Sequence, residues 1–178
     1  MTMKSIYTKR LILRPWNKGD VIDFHEFMSD KRVGECAGNN IITDIEVSKK
    51  CIENYIAHNL SYAIVLSCAN KVIGSIGMDI TKPHENYTSL NQRYIGYTIH
   101  PDYWGEGYAA EATQYLMKYL FENYNVDLIW TSHYDFNVRS KKVIDKCGFT
   151  YEFSREKNLR ALGGKSVNEL FYKVLRMS

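Results

Sequence analysis

The pattern of apolar and polar positions along the chain predicts a mixed succession of strands and helices. Ile6 to Arg14 reads as a strand that stops at Pro15, and "NKGD" then offers turn residues and an N-cap for a short helix through Val21, Phe24 and Met28. Residues 29 to 43 read as an irregular loop. Thr43 and Asp44 cap a second helix in which Val47, Cys51 and Tyr55 recur every four residues and so share one face, with an end near His58. Three strand-like runs follow: "SYAIVLS", "KVIGSIGMDI" after a turn at Cys68-Ala69-Asn70, and Gln92 to His100 after a polar loop. Together they predict an antiparallel meander.

From Glu106 to Asn123 the residues Ala109, Ala112, Leu116, Tyr119 and Leu120 form an apolar stripe at helical spacing, and "DLIWTS" reads as a buried strand. A last helix is predicted over about Val138 to Lys146, with Gly148 at its C-cap. Phe149 to Ser154 and Glu169 to Leu175 read as two closing strands joined by a loop containing "LGGKS". The predicted order is strand, two helices, three strands, helix, strand, helix, two strands: seven strands and four helices in an α/β (α+β) arrangement.

Composition narrows the possibilities. A chain of 178 residues with 45% hydrophobic residues can bury one well-packed core, which predicts a single domain over residues 1–178. Net charge is +3 and the charged residues are spread along the chain, so neither a nucleic-acid-binding arm nor an acidic tail is expected. Arg10 and Arg14 interrupt the apolar residues near the N-terminus and no later run reaches membrane-spanning length, which predicts a cytoplasmic protein without a membrane partner. Cys36, Cys51, Cys68 and Cys147 show no C-x-x-C spacing and the five histidines no H-x-x-x-H pair, so reduced thiols and no metal are expected.

The most informative stretch is "PDYWGEGYAAEA", Pro101 to Ala112, where a strand gives way to two glycines and then at once to a helix. The first amides of a helix lack internal partners and sit at the positive end of its dipole, so small residues there admit an anion such as a phosphate. Gly105, Gly107 and Ala110 also satisfy the dinucleotide pattern G-x-G-x-x-A. That fold needs several parallel crossovers, and this chain offers too few. A third reading is a tight turn without a ligand.

"YIGYTIHPDYWGEGYAAEA" followed by "NVRSKKVIDKCGF" resembles the GCN5-related N-acetyltransferase (GNAT) superfamily, and within it the ribosomal-protein N-terminal acetyltransferases of the RimJ/RimL type. Trp104, Gly107 and Ala109 occupy the defined positions of the motif Q/R-x-x-G-x-G/A, and "TKRLILRPW" also matches. The resemblance implies the GNAT fold, a single mixed, mostly antiparallel sheet, with acetyl-coenzyme A as cosubstrate in an opening between the fourth and fifth strands. It implies that the pyrophosphate is held by Trp104, Gly105, Glu106, Gly107, Tyr108 and Ala109. The pantetheine arm would pair with Tyr97, Thr98 and Ile99, and Asn137 and Ser140 would touch the cofactor and assist catalysis. Asn137 equally suits a helix N-cap.

The implied reaction is direct attack of a primary amine on a thioester. An alkylammonium must lose its proton, an oxyanion must be stabilised and a thiolate must leave; backbone amides near Ile99 and the Ser140 hydroxyl are the expected helpers. Two departures stand out. Tyr94 occupies the position where many relatives carry a glutamate base, and Ile144 the position of a tyrosine acid. Glu152, Asp135 and His133 are the nearest titratable alternatives, though each reads more readily as a surface or structural residue, and Lys141 and Lys142 could reach the 3′-phosphate but fit a solvated helix face better. The expected partners are acetyl-CoA and an amine, either a protein N-terminus or a small molecule, with the chain a monomer or homodimer. The same scaffold serves many acceptors, and a non-catalytic CoA-binding domain remains the alternative.

Overall fold

A turn held by one threonine decides how the sheet begins. In the computed structural model, which describes residues 3–176, the Thr8 hydroxyl accepts from the Leu11 amide (2.8 Å) and the Thr8 amide donates to the Leu11 carbonyl (2.9 Å). The expected single strand over Ile6–Arg14 is therefore two, β1 (Ile6–Tyr7) and β2 (Leu11–Pro15), paired antiparallel with Ile6 opposite Leu13. Asn17 and Asp20 form a reciprocal capping box before α1 (Val21–Met28).

Residues 29–43 also depart from expectation, because they contain α2 (Lys31–Ala37). The Asp30 carboxylate caps it at the Arg32 amide (2.8 Å), and Gly38 ends it in the left-handed region at φ 63°. Only Val33 and Gly34 of this helix are buried, so no apolar stripe announces it. Helix α3 (Ile45–His58), capped by Asp44 and closed by Asn59 at φ 54°, follows the sequence reading in its bounds, but it buries Ser48 and Ile52, with Cys51 and Tyr55 beside them and Val47 exposed.

The meander is β3 (Ser61–Leu66), β4 (Lys71–Asp79) and β5 (Gln92–Ile99), followed by α4 (Tyr108–Asn123), β6 (Leu128–Tyr134) and α5 (Val138–Lys146). The C-cap of α5 is Cys147, with Gly148 in the left-handed position just beyond it at φ 77°. The closing strands are longer than the sequence suggested: β7 (Thr150–Leu159) and β8 (Lys165–Leu175) form a hairpin whose connection is only residues 160–164. Lys165 and Ser166, expected in the loop, belong to β8. Glu156, Lys157 and Asn158 are exposed, so a buried-strand pattern could not report them; their pairing opposite Asn168, Val167 and Ser166 defines the arm.

The fold is thus the expected single mixed, mostly antiparallel sheet, with eight strands and five α-helices among the described residues instead of seven and four. Its order is β1-β2-β3-β4-β5-β6-β8-β7. Alternation along β3 sends Tyr62 and Ile64 into a core with α4 and α5, through Leu116, Leu120 and Ile144. Ala63 and Val65 go to the opposite face, against Phe24, Phe27 and Ile52 of α1 and α3.

One seam differs from the rest. Strands β5 and β6 are parallel and pair only at Gln92–Leu128, Arg93–Ile129 and Tyr94–Trp130. Beyond those rungs β5 stays with β4 as far as Ile99 opposite Gly74, while β6 follows β8 as far as Tyr134 opposite Glu169. A Cβ on Gly74 would lie 2.3 Å from the Thr98 carbonyl oxygen, so glycine at this position lets the two strands remain paired where they leave the seam.

Candidate functional site

The parting of β5 and β6 opens a cleft of about 930 Å³ through the middle of the sheet. Backbone direction along its β5 wall follows from one bond: the His100 amide donates to the Ile73 carbonyl (2.8 Å). Since backbone groups alternate along a strand, those of Gly96 and Thr98 face β4, and those of Tyr97 and Ile99 face the opening. The Ile99 carbonyl accepts from the Trp104 indole (2.8 Å), which ties the strand end to the loop that follows.

In that loop Gly105 and Gly107 adopt φ 89° and 81°, and Gly107 is the N-cap of α4 without a side-chain capping bond. The Glu111 amide is bonded to the Gly107 carbonyl at 3.0 Å, so the amides of Tyr108, Ala109 and Ala110 precede the first α-helical bond. Two cations converge here. A Cβ on Gly107 would lie 3.6 Å from Lys146 Nζ and 3.7 Å from an Arg10 guanidinium nitrogen. The Arg139 guanidinium stacks over the Trp104 ring at 4.6 Å. Glu106 is exposed and stands outside the cleft lining; its carbonyl accepts from Arg10 (3.0 Å).

Glu111 fixes this corner. It accepts from the Thr8 hydroxyl (2.7 Å), the Arg10 amide (2.8 Å) and Arg10 Nε (2.7 Å), so the β1–β2 turn grips the first turn of α4. Burial acts to raise its pKa, but the bonds from Thr8 and Arg10 outweigh it and hold the carboxyl below its ordinary value.

On the other wall Asn137 is the N-cap of α5, accepting from the Ser140 amide (3.1 Å), and its Nδ2 donates to the Cys36 carbonyl (2.9 Å). The cap anticipated for Asn137 is therefore present, with a tie to the end of α2. The Ser140 hydroxyl lies 2.8 Å from the Tyr97 phenol, which also donates to the Ser140 carbonyl (3.3 Å). Burial drives the Tyr97 pKa well above the ordinary phenol value, with the Ser140 bond opposing, so this hydroxyl is a proton carrier at neutral pH. Lys141 turns away to Asp145 (2.5 Å), whereas Lys142 lines the cleft.

The titratable alternatives divide. Glu152 is held by Lys173 (2.7 Å) and Tyr87 (2.6 Å), which lower its pKa, and like Asp135 it lies outside the cleft lining. His133 lines the cleft but is 7% exposed; its Nδ1 faces the Tyr134 carbonyl (2.7 Å) and its Nε2 the Tyr172 hydroxyl (3.1 Å). This pattern assigns the proton to Nδ1. Burial lowers its pKa, so the unfolded chain binds the proton more readily. The stability contribution is complete above about pH 6.5 and is lost as pH falls through that value toward the lower folded pKa. Denaturant titrations between about pH 7 and pH 5 should show a decline that is reduced in His133→Gln, whatever that variant's stability at neutral pH.

Two groups went unnoticed in the sequence. Tyr97 was anticipated for its backbone, and its phenol adds a second hydroxyl beside Ser140. Glu169 read only as the start of a strand, yet it lines the cleft and accepts from Ser132 (2.7 Å), whose hydroxyl meets that of Tyr94 (2.5 Å). The β6–β8 register puts Glu169 opposite Tyr134, two residues beyond Ser132, and this long-range pairing was the missing signal.

Charge is segregated along the cleft. Its lining cations Arg139, Lys142 and Lys146 all belong to α5, and its carboxylates Asp79 and Glu169 come from the end of β4 and from β8. Among the described residues no group of three or more His, Cys, Asp or Glu is placed to hold a metal ion, and no helix is long and apolar enough to cross a membrane. All four cysteines are free, and burial pushes the Cys147 thiol up to about 11.

A family model described as an acetyltransferase (GNAT) domain matches residues 10–150. The uncharacterized N-acetyltransferase p20 of Bacillus licheniformis is 27% identical over 157 residues, 84% of each chain. A GNAT-family acetyltransferase structure from Bacillus anthracis superposes with a TM-score of 0.83 at 24% identity, covering 97% of this chain and 98% of that one. A ribosomal-protein-S5-alanine acetyltransferase from Vibrio fischeri gives 0.77 at 17% identity, with 97% of each chain covered.

Proposed function

Given that this chain belongs to the GNAT acetyltransferase family, whose members use acetyl-CoA as cosubstrate, we propose that it transfers the acetyl group directly to a primary amine inside the split between β5 and β6. The observation that carries this reading is the junction at Gly107, where the leading amides of α4 and the cations Lys146 and Arg10 converge at the edge of the cleft. That is the chemistry a pyrophosphate requires. The residues present fit the cosubstrate: the amides of residues 105–109 for its phosphates, that of Trp104 being given already to the Pro101 carbonyl (3.1 Å), and the outward backbone of Tyr97 and Ile99 for its amide-bearing arm.

Bound there, acetyl-CoA supplies an activated acyl group with a thiol leaving group. The Ile99 amide faces the opening and stabilises negative charge developing on the carbonyl oxygen, because a fixed dipole needs no reorganisation. The Tyr97–Ser140 hydroxyl pair relays to the departing sulfur the proton that the attacking nitrogen sheds as the amide forms, so that neither hydroxyl is left ionised. Asn137 sets the position of Ser140 through its cap. For the acceptor we favour a protein N-terminal amine, a choice supported by the sequence resemblance and by the ribosomal-protein acetyltransferase that shares the fold.

Calorimetry with acetyl-CoA, and thiol release with alanyl and seryl peptides, glucosamine and spermidine, test the reading. Binding together with thiol release is expected; binding without release from any of these amines would leave a CoA-binding domain instead. Ser140→Ala and Tyr97→Phe should each lower kcat by roughly tenfold to a hundredfold with acetyl-CoA affinity nearly intact. The double variant should lose less than the product of the two, because both hydroxyls serve the same proton transfer. Loss of stability with wild-type turnover would reduce both residues to structural roles.

A further inference from the structure

We propose that Tyr94, Ser132 and Glu169 form a directed proton relay that receives the acceptor amine at the Tyr94 hydroxyl oxygen, with Glu169 as the base at its far end. The proposal rests on the acetyltransferase reading above and gives that site its acceptor-binding atom. It also names a carboxylate on β8 as the base where β5 carries none.

The direction of the chain follows from counting protons. Ser132 has one hydroxyl proton, and it is given to Glu169 Oε1 at 2.7 Å, since an ionised carboxylate only accepts. The contact at 2.5 Å between the Tyr94 and Ser132 hydroxyls must then use the tyrosine proton. Tyr94 is left with lone pairs and no free proton, on a side chain that lines the cleft. An oxygen in that state accepts from an N–H and offers nothing to another acceptor, so it selects ammonium or amine groups over carbonyls and carboxylates. Burial raises the Tyr94 pKa to about 12, so the hydroxyl stays neutral and passes protons without ionising.

The surroundings supply the remaining terms. Lys157 of β7 holds Glu169 Oε2 at 3.2 Å and lies over the Tyr134 ring of β6 at 5.4 Å, which leaves Oε1 for Ser132. Arg155, opposite Glu169 in the β7–β8 register, places its guanidinium over Phe153 and Phe171 at 4.9 and 5.2 Å. Asp79 of β4 pairs with Tyr94 in the β4–β5 ladder and adds a second negative charge on the cleft lining. An ammonium is drawn to this end, as phosphates are drawn to the opposite end beside α5.

The step balances as follows. An N–H bond of the ammonium breaks and an O–H bond forms on Tyr94; the former Tyr94 proton passes to Ser132 and the former Ser132 proton to Glu169 Oε1. The nitrogen keeps its electron pair and becomes the nucleophile. Both hydroxyls end as they began, Glu169 is neutral, and its 16% exposure lets the proton leave to water.

The test uses the full chain, acetyl-CoA and whichever of the alanyl peptide, seryl peptide, glucosamine or spermidine releases thiol fastest. Glu169→Gln and Tyr94→Phe should each lower kcat/KM about a hundredfold. The rising limb of the wild-type pH profile should move upward toward the pKa of the free amine, while acetyl-CoA affinity stays within about threefold. Ser132→Ala, which removes the middle link, should show the same pH signature and serves if another variant fails to fold. A folded Glu169→Gln protein with wild-type kcat/KM and an unmoved limb overturns the relay alone. Failure of the wild type to bind acetyl-CoA overturns the underlying reading, and binding without thiol release from any of the amines overturns catalysis and relay together.

Discussion

Replacing Gly107 with aspartate is expected to abolish acetyl-CoA binding in calorimetry while the fold survives. Gly107 has φ 81°, a region that aspartate enters at a cost of roughly 1–2 kcal/mol, too little to unfold an ordinary domain. Electrostatics dominate the outcome. The new Cβ would sit 3.6 Å from Lys146 Nζ and 3.7 Å from Arg10, so the carboxylate would pair with both cations and lie across the leading amides of α4. A phosphate would then meet an occupied and neutralised site. We expect affinity to fall by more than about a hundredfold, near 3 kcal/mol. Gly105→Ala is the matched control, since its Cβ would meet nothing within 4 Å at φ 89°; it carries the strain without the charge and should weaken binding far less. Unchanged affinity in a folded Gly107→Asp protein would remove the phosphate site from this loop.

Trp130→Ala should give the largest loss of stability, about 3–5 kcal/mol by chemical denaturation. The side chain is fully buried, its edge contacts join Tyr87 and Phe153 at ring-centroid distances of 5.5 and 6.1 Å, and its indole donates to Gln92 at 2.7 Å. Truncation leaves a large cavity and deprives Gln92, itself 2% exposed, of that donor. At roughly 2–4 °C per kcal/mol for a chain of this size, the midpoint should drop by about 10 °C or more. Trp130→Phe fills much of the volume and should cost less. The position also borders the cleft, because Trp130 opposite Tyr94 is the last rung before the sheet divides. A loss below about 1 kcal/mol would show that the loop over this ring adapts to the space.

How far the sequence could be read depended on the range of the interaction. The amphipathic stripe of α4 and the glycines before it are local signals, and so the loop-to-helix junction at 104–109 was legible. Capping by Asp44 and Asn137 was legible for the same reason. The break at Thr8–Arg10 was not, since it is secured by Glu111, a hundred residues away in the chain. Helix α2 carries good caps in Asp30 and Gly38 but buries too little to make an apolar stripe. The β7–β8 arm hides in polar sequence because pairing across the hairpin, not burial, makes it a strand. The same limit governed the site: Asn137 and Ser140 came from a motif, whereas the Tyr97–Ser140 and Ser132–Glu169 contacts exist only after strand register and helix docking bring the residues together.

The three-rung seam between β5 and β6 also bears on how long the protein lasts. A sheet joined so briefly at its centre has a place where its two halves can separate locally without global unfolding, exposing chain to proteases. At the site proposed above, a cosubstrate bound across the split would bridge β5 to α5 and favour the joined state by mass action, by about 2.7 kcal/mol when its free concentration is a hundred times its dissociation constant. On that placement the lifetime of the polypeptide would follow the supply of acetyl-CoA, and limited proteolysis with and without the acyl donor should show slower cleavage when it is bound.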